Sequence, residues 1–429
     1  MESRKSTRFS DISQKRNVFR RYRRLVVAGV VCVVAISGLI ASRSGETFPY
    51  DQGGVTLLTE PLSSTTAPHP AGTSIPSLPN VAPDYPPSHA GGPVTPSDAA
   101  EEVGLSVAET LTGLSKDELN RQLDDFVALH ITWVRLDFDW AVIQRGGPDS
   151  YDWSRIDRVV VEANTRDLKL LPILVYTPAW ARGDCSSNRC RPEDPAVFAH
   201  FAAEATKRYA PQGIHTWEIW NEPNAAGFWR PAANPAHYAA LLKAAYASIK
   251  AVDPDATIIS GGLATVATRN GSIAPREYLA ALYTEGAGAY FNAVGFHPYS
   301  FPVTATYNAP WNAWQQMMNT NPSLHDIMIA NGDHDKRIWI TEYGAPTGGP
   351  GNASAAYNPR EQSDHVTEER QKEILVDAID DASKHDWLGP FFWYSYKDIG
   401  ESQSSTENFY GLLRADGSHK PAYDALRNR

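Results

Sequence analysis

Trp217-Glu218-Ile219-Trp220-Asn221-Glu222-Pro223 is an apolar stretch of strand character that ends in an amide and a carboxylic acid and is then halted by a proline. Proline has no N–H to give to a sheet ladder, so the strand stops there. Apolar segments of similar length recur on both sides of it, each followed by a segment of helical period. Val103 to Ala108 reads as the first strand and Ser115 to Leu129 as its helix, with Ser115 at the N-cap and Glu118 at the capping-box position. Ile131 to Phe138 pairs with Ser154 to Thr165, Leu168 to Val175 with Pro195 to Tyr209, and Ile214 to Trp220 with Pro235 to Val252. Ala256 to Gly261 pairs with Pro275 to Thr284, and Phe291 to Phe296 with a helix within Trp311 to Met328. Arg337 to Ile340 pairs with Glu368 to Ser383, and Pro390 to Tyr394 with Pro421 to Arg427. Eight such pairs predict an α/β fold, the closed parallel (β/α)8 TIM barrel over residues 101–429, rather than an open doubly wound sheet.

In such a barrel the chemistry gathers where the strands end. Strand two runs into Arg135 through Trp140, strand three into Tyr176 through Trp180, and strand four into Asn221-Glu222. Strand six runs into His297-Pro298-Tyr299, strand seven into Glu342, and strand eight into Trp393 through Tyr396. Strands four and seven stand opposite each other across a closed eight-stranded barrel, so Glu222 and Glu342 face one mouth. Two carboxylates about 5 to 5.5 Å apart are what a retaining glycosidase needs, one attacking the sugar and one protonating the leaving oxygen. Their environments must then differ, with donors and a cation keeping the nucleophile ionised. Arg135 is placed to supply that cation to Glu342, with a pairing to Glu218 as the alternative. Glu218 is read as a buried structural acid, and Asp137 and Asp139 as loop and cap residues. His297 and Tyr299 are expected to bond the nucleophile or a sugar hydroxyl. Trp140, Trp180, Trp229 and Trp393 are candidate sugar platforms, because flat amphipathic rings stack on flat ligand faces. Trp393 is the foremost of them.

The net charge of −10 argues against a nucleic-acid partner, which demands an excess of Lys and Arg. No phosphate-loop, dinucleotide or His-Glu-x-x-His pattern occurs, and the histidines lack metal-ligand spacing, so neither a cofactor nor a metal is expected. Cys185 and Cys190 enclose four residues and are expected to form a disulfide, since two cysteines fall short of a tetrahedral zinc site.

The N-terminus is of another kind. Residues 1–24 are basic, with Arg20, Arg21, Arg23 and Arg24 directly before an apolar run from Leu25 to Ala41. Basic residues resist translocation, so this run predicts a transmembrane signal anchor with the barrel outside the cell membrane, or a signal peptide whose cleavage would release a secreted protein. Residues 42–100, crowded with Pro, Ser, Thr and Gly, read as a disordered linker.

Trp217 to Pro223 and Trp339-Ile340-Thr341-Glu342-Tyr343-Gly344 resemble the paired motifs of the clan of (β/α)8 retaining glycoside hydrolases. Within that clan the chain looks most like the family 39 type, with families 5 and 51 as near neighbours. Tyr176-Thr177-Pro178-Ala179-Trp180, Tyr410 to Leu413 and Lys420 to Tyr423 share in the likeness, which runs from Val103 to Arg429. The resemblance implies Glu222 as general acid/base, Glu342 as nucleophile and Asn221 as the partner of the sugar 2-hydroxyl. The expectation is a monomeric retaining O-glycosidase, and the long polar, glycine-rich loops after strands seven and eight favour endo action on an extracellular or cell-wall oligo- or polysaccharide. The alternatives are an exo-acting α-L-arabinofuranosidase or β-xylosidase, and a catalytically idle polysaccharide-binding wall protein.

Overall fold

The computed structural model describes residues 102–359 and 363–429. The expected basic head, apolar run and linker lie outside the described residues, and no described helix is long and apolar enough to cross a membrane. Eight parallel strands close into a barrel in sequence order. They are β1 (Val103–Ser106), β2 (Trp133–Asp139), β3 (Lys169–Val175), β4 (Thr216–Asn221), β5 (Thr257–Ala264), β6 (Ala293–His297), β7 (Arg337–Tyr343) and β8 (Leu388–Tyr394).

The helices alternate with them: α1 (Lys116–Ala128), α2 (Trp140–Ile143), α3 (Ser154–Asn164), α4 (Pro195–Tyr209), α5 (Pro235–Val252), α6 (Pro275–Thr284), α7 (Ala313–Met318), α8 (Leu324–Ala330), α9 (Glu368–Ala382) and α10 (Pro421–Arg427). Their starts follow local chemistry. The Ser115–Glu118 capping box opens α1, and prolines stand in the first turns of α4, α5, α6 and α10, where a missing N–H costs nothing. The helix expected within Trp311 to Met328 is instead two short ones, α7 and α8. Pro322 separates them, and a fresh capping box on Ser323 and Asp326 starts the second.

Two layers of packing position the site. Trp133, Leu171, Ile259, Ala293 and Phe392, with Trp339 against them, form an apolar cluster apart from the main core. Each comes from a different strand, as expected of a barrel floor. Because side chains alternate along a strand, residues two positions further on reach the same lumen nearer the mouth. Arg135 on β2, Thr341 on β7 and Tyr394 on β8 follow the floor residues in this way. The main core fills the space between barrel and helices; α1 contributes Leu119, Leu123 and Phe126, spaced for one helix face.

The loop after β8 is held from beneath. Lys420, buried, donates to Asp398 at 2.7 Å, to Thr347 and to the Phe409 carbonyl. The Lys420 to Tyr423 motif therefore braces the loop that carries Tyr410. Tyr423 and Tyr396 both donate to Asp125 of α1, tying the chain end to the first helix.

Candidate active site

Arg135 organises the mouth. Its side chain is fully buried on β2 and donates to Glu218 through Nε at 2.6 Å and Nη2 at 3.0 Å. The same guanidinium reaches Glu342 Oε1 at 2.5 Å, Ser106 Oγ at 3.0 Å and Asn221 Oδ1 at 2.8 Å. Both expected pairings of Arg135 are thus made at once. Buried as it is, Arg135 acts through these acids and is not a substrate contact, which corrects its place among the sugar-binding candidates.

The end of β4 departs from simple alternation. Glu218 and Asn221 differ in parity along the strand, yet both bond Arg135. The cause lies at Trp220, whose φ of 70° is left-handed; Glu222 follows with φ 48°. Such conformations are costly outside glycine and are kept where the surroundings enforce them. Here Trp220 is fully buried, its indole N–H donates to the Phe228 carbonyl at 2.9 Å, and Glu222 N donates to Gly262 O at 3.0 Å. The twist brings an adjacent amide and acid to one mouth.

Glu222 and Glu342 then receive different neighbours. Tyr299 donates to Glu342 Oε2 at 2.9 Å, opposite Arg135 on the other oxygen. Burial pushes the Glu342 carboxyl up, but the fields of His297 and Arg135 and the hydrogen bonds from Tyr299 and Arg135 outweigh it and hold it below the ordinary carboxylate range. His297 Nδ1 stands 3.0 Å from Glu222 Oε1 and 3.7 Å from Glu342 Oε2, while its Nε2 meets Thr341 Oγ1 at 3.1 Å. Gly262 makes room for this ring: a Cβ there would lie 2.1 Å from His297 Nε2. One donor atom each from Glu222, His297 and Glu342 lie within 4.8 Å of one another. A trio of that kind is able to hold a divalent ion, but Arg135 and Tyr299 already occupy both Glu342 oxygens, and a cation would meet the fixed charge of the guanidinium.

The tryptophans mostly lie elsewhere. Trp393, Trp140 and Trp229 are buried to within 1% of their surface, and a ring without an open face cannot stack on a sugar. For Trp393 the reason is parity: Phe392 lies in the barrel-floor cluster, so Trp393 turns outward against Tyr343 and Tyr394 turns in. Trp140 stacks on Phe201 of α4, and Trp229 packs edge-on against Trp220 and Tyr238. Trp180 alone of the four keeps an open part, its indole N–H donating to the Gln144 carbonyl at 2.7 Å. Asp139 caps α2 through the Val142 N–H, as expected of it, and burial pushes its carboxyl up to about 6. Burial and the charge of Glu109 hold Asp137 well above the usual range.

One acid at the mouth had no signal in the sequence. Glu407 lies in the loop after β8 and accepts from Tyr394 at 2.5 Å. Burial raises its carboxyl, and the charges of Glu342 and Glu222 add to the rise. The bond from Tyr394, itself on β8, brings this loop acid to the barrel rim. Cys185 and Cys190 are joined, with Cα atoms 6.3 Å apart. The Asn188 and Cys190 carbonyls of that loop accept from the backbone and hydroxyl of Thr177 just beyond β3, fixing the rim on this side.

Residues 98–387 match the family described as Cellulase (glycosyl hydrolase family 5). The chain belongs to this family. The clan resemblance read from the two glutamate motifs is thereby carried, family 5 being one of the near neighbours it named. The beta-xylosidase of Geobacillus stearothermophilus is 31% identical over 120 residues, which are 24% of this chain and 23% of that enzyme. Among solved structures, a family 39 glycoside hydrolase from Bacteroides cellulosilyticus superposes with a TM-score of 0.59 at 22% identity, over 78% of this chain and 64% of that one. A monomeric beta-xylosidase from Caulobacter crescentus gives 0.56 at 18% identity, over 76% and 67% of the two chains. At these identities the structures speak for the shared barrel. The chain thus spans less than two thirds of the family 39 structure and about a quarter of the xylosidase relative.

Proposed function

We propose that this protein is a retaining O-glycosidase working by double displacement. Glu342 attacks the anomeric carbon while Glu222 gives its proton to the departing glycosidic oxygen; Glu222 then takes a proton from water, which cleaves the glycosyl ester. The observation that carries the reading is the spacing of donor atoms on Glu222 and Glu342, within 4.8 Å. That is close to the roughly 5 to 5.5 Å between carboxyl groups of retaining enzymes and short of the about 6.5 to 9.5 Å across which inverting enzymes seat a water. Asn221 supports it as well. With its oxygen committed to Arg135, the amide has its N–H groups to offer a sugar hydroxyl. The test is the anomeric configuration of the first-formed product, followed by NMR during hydrolysis of an aryl glycoside. Retention is expected, and net inversion would overturn the mechanism.

The substrate we favour is an extracellular or cell-wall polysaccharide cleaved in endo fashion, with long loops after β7 and β8 walling a cleft. An exo-acting β-xylosidase is the second reading, favoured by the name of the Geobacillus relative. Sizing the products from xylan and hydroxyethylcellulose separates the two. Export with a membrane tether at residues 25–41, a linker over 42–100 and action as a monomer complete the proposal, and they rest on the sequence. Membrane fractionation of cells expressing the full chain tests the tether.

A further inference from the structure

Among the described residues, three aromatic side chains are exposed by more than a third: Tyr307 at 40%, Trp311 at 48% and Tyr357 at 36%. They lie together. Ring centroids are 5.9 Å apart for Tyr307 and Trp311, 5.4 Å for Tyr307 and Tyr357, and 5.3 Å for Trp311 and Tyr357. Leaving apolar rings in water is unfavourable, and a soft loop would fold them under. This loop is not soft. Asn312, fully buried, donates to the carbonyls of Thr304, Ala305 and Tyr307, and Thr306 donates to Asp377 of α9 through both its N–H and its hydroxyl. The frame is built and the rings are held outward on it.

Two facts say what the rings meet. First, the loops carrying them grow from β6 and β7, the strands that deliver Tyr299 and Glu342 to the mouth. Second, no Asp, Glu, Lys or Arg occurs from Pro298 to Leu324 or from Tyr343 to Pro359, in a chain that is 21% charged. Exposed rings on two segments with no charged residue of their own suit an uncharged polyhydroxylated chain, whose flat faces stack while its hydroxyls bond the amides. A nucleic acid would need cations there.

We propose that Tyr307, Trp311 and Tyr357 form a platform for a neutral polysaccharide chain, outside the pocket of Glu222 and Glu342. The proposal takes its saccharide ligand from the reading above. The test compares the full-length protein with the triple variant Tyr307→Ala/Trp311→Ala/Tyr357→Ala, each also in a Glu342→Ala background so that polymer is not consumed. Retardation in native gels containing hydroxyethylcellulose or xylan reads binding, and kcat/KM on 4-nitrophenyl glycosides reads catalysis. The triple variant is expected to bind polymer about tenfold more weakly, as when aromatic anchors are removed, with aryl glycoside kcat/KM unchanged. Trp311→Phe, which keeps a ring, is expected to retain most of the binding. Three results would overturn the platform: equal polymer binding by both proteins or by neither, a parallel fall in aryl glycoside turnover, or a wild-type dimer that the triple variant loses. Polymer binding that needs the three rings, in a protein that cleaves no glycoside, would leave the platform standing and sink the double-displacement reading instead.

Discussion

Two strand ends face each other across the mouth, and they treat the same side chain differently. At β7, Glu342 has a guanidinium on one oxygen and a phenol on the other. At β4, Glu222 has His297 as its hydrogen-bonding partner and sits on a left-handed residue. An acid with a donor on each oxygen is held as an anion, which suits attack. Glu222 receives neither of these donors, which sets the two strand ends apart. The difference lies in what the neighbouring strands deliver: Arg135 from β2 and Tyr299 from just beyond β6 both reach Glu342, and neither bonds Glu222.

The most severe way to break this contrast is Glu342→Ala, expected to lower kcat on every glycoside by about 10⁴-fold or more. Near-full hydrolysis by this variant would end the assignment. Glu222→Ala should cost about 10² to 10⁴-fold on substrates with poor leaving groups and far less with an activated phenol, which departs without a proton. Equal losses on both substrates would erase the distinction between the two strand ends. Tyr299→Phe is the mildest change, with about a tenfold fall in kcat/KM expected from losing a hydrogen bond to a charged group. Its sharper signature is in pH. The Tyr299 donor favours the ionised Glu342, so removing it raises that carboxyl and moves the acid limb of kcat/KM upward. An unmoved limb would show that another group controls it.

Much of the barrel could be read in advance because its helices announce themselves. Ser115 with Glu118 and the prolines at 195, 235, 275 and 421 mark helix starts that the structure repeats to the residue. The α7–α8 break was missed although Asn319-Thr320-Asn321-Pro322-Ser323 interrupts the apolar residues there and carries the proline that ends one helix and the serine that caps the next. The acid pair and its partners were legible because chemistry at strand ends is conspicuous. What sequence could not assign was the side of the sheet. Trp393 looked like a platform, and one step of parity turned it into core. At β4 alternation itself fails, since nothing in a tryptophan codon forecasts φ 70° at position 220. Glu407 escaped for a different reason: it sits in a loop with no strand or motif to mark it, and reaches the rim through Tyr394.

The single guanidinium of Arg135 is shared between two carboxylates, Glu218 and Glu342. In the proposed displacement Glu342 becomes an ester and gives up its charge. What remains around Arg135 is a one-to-one pair with Glu218, closed upon itself. The negative charge passes to Glu222, which has given up its proton, so the glycosyl intermediate would carry its anion beside His297 instead of Arg135, and hydrolysis would return it to Glu342.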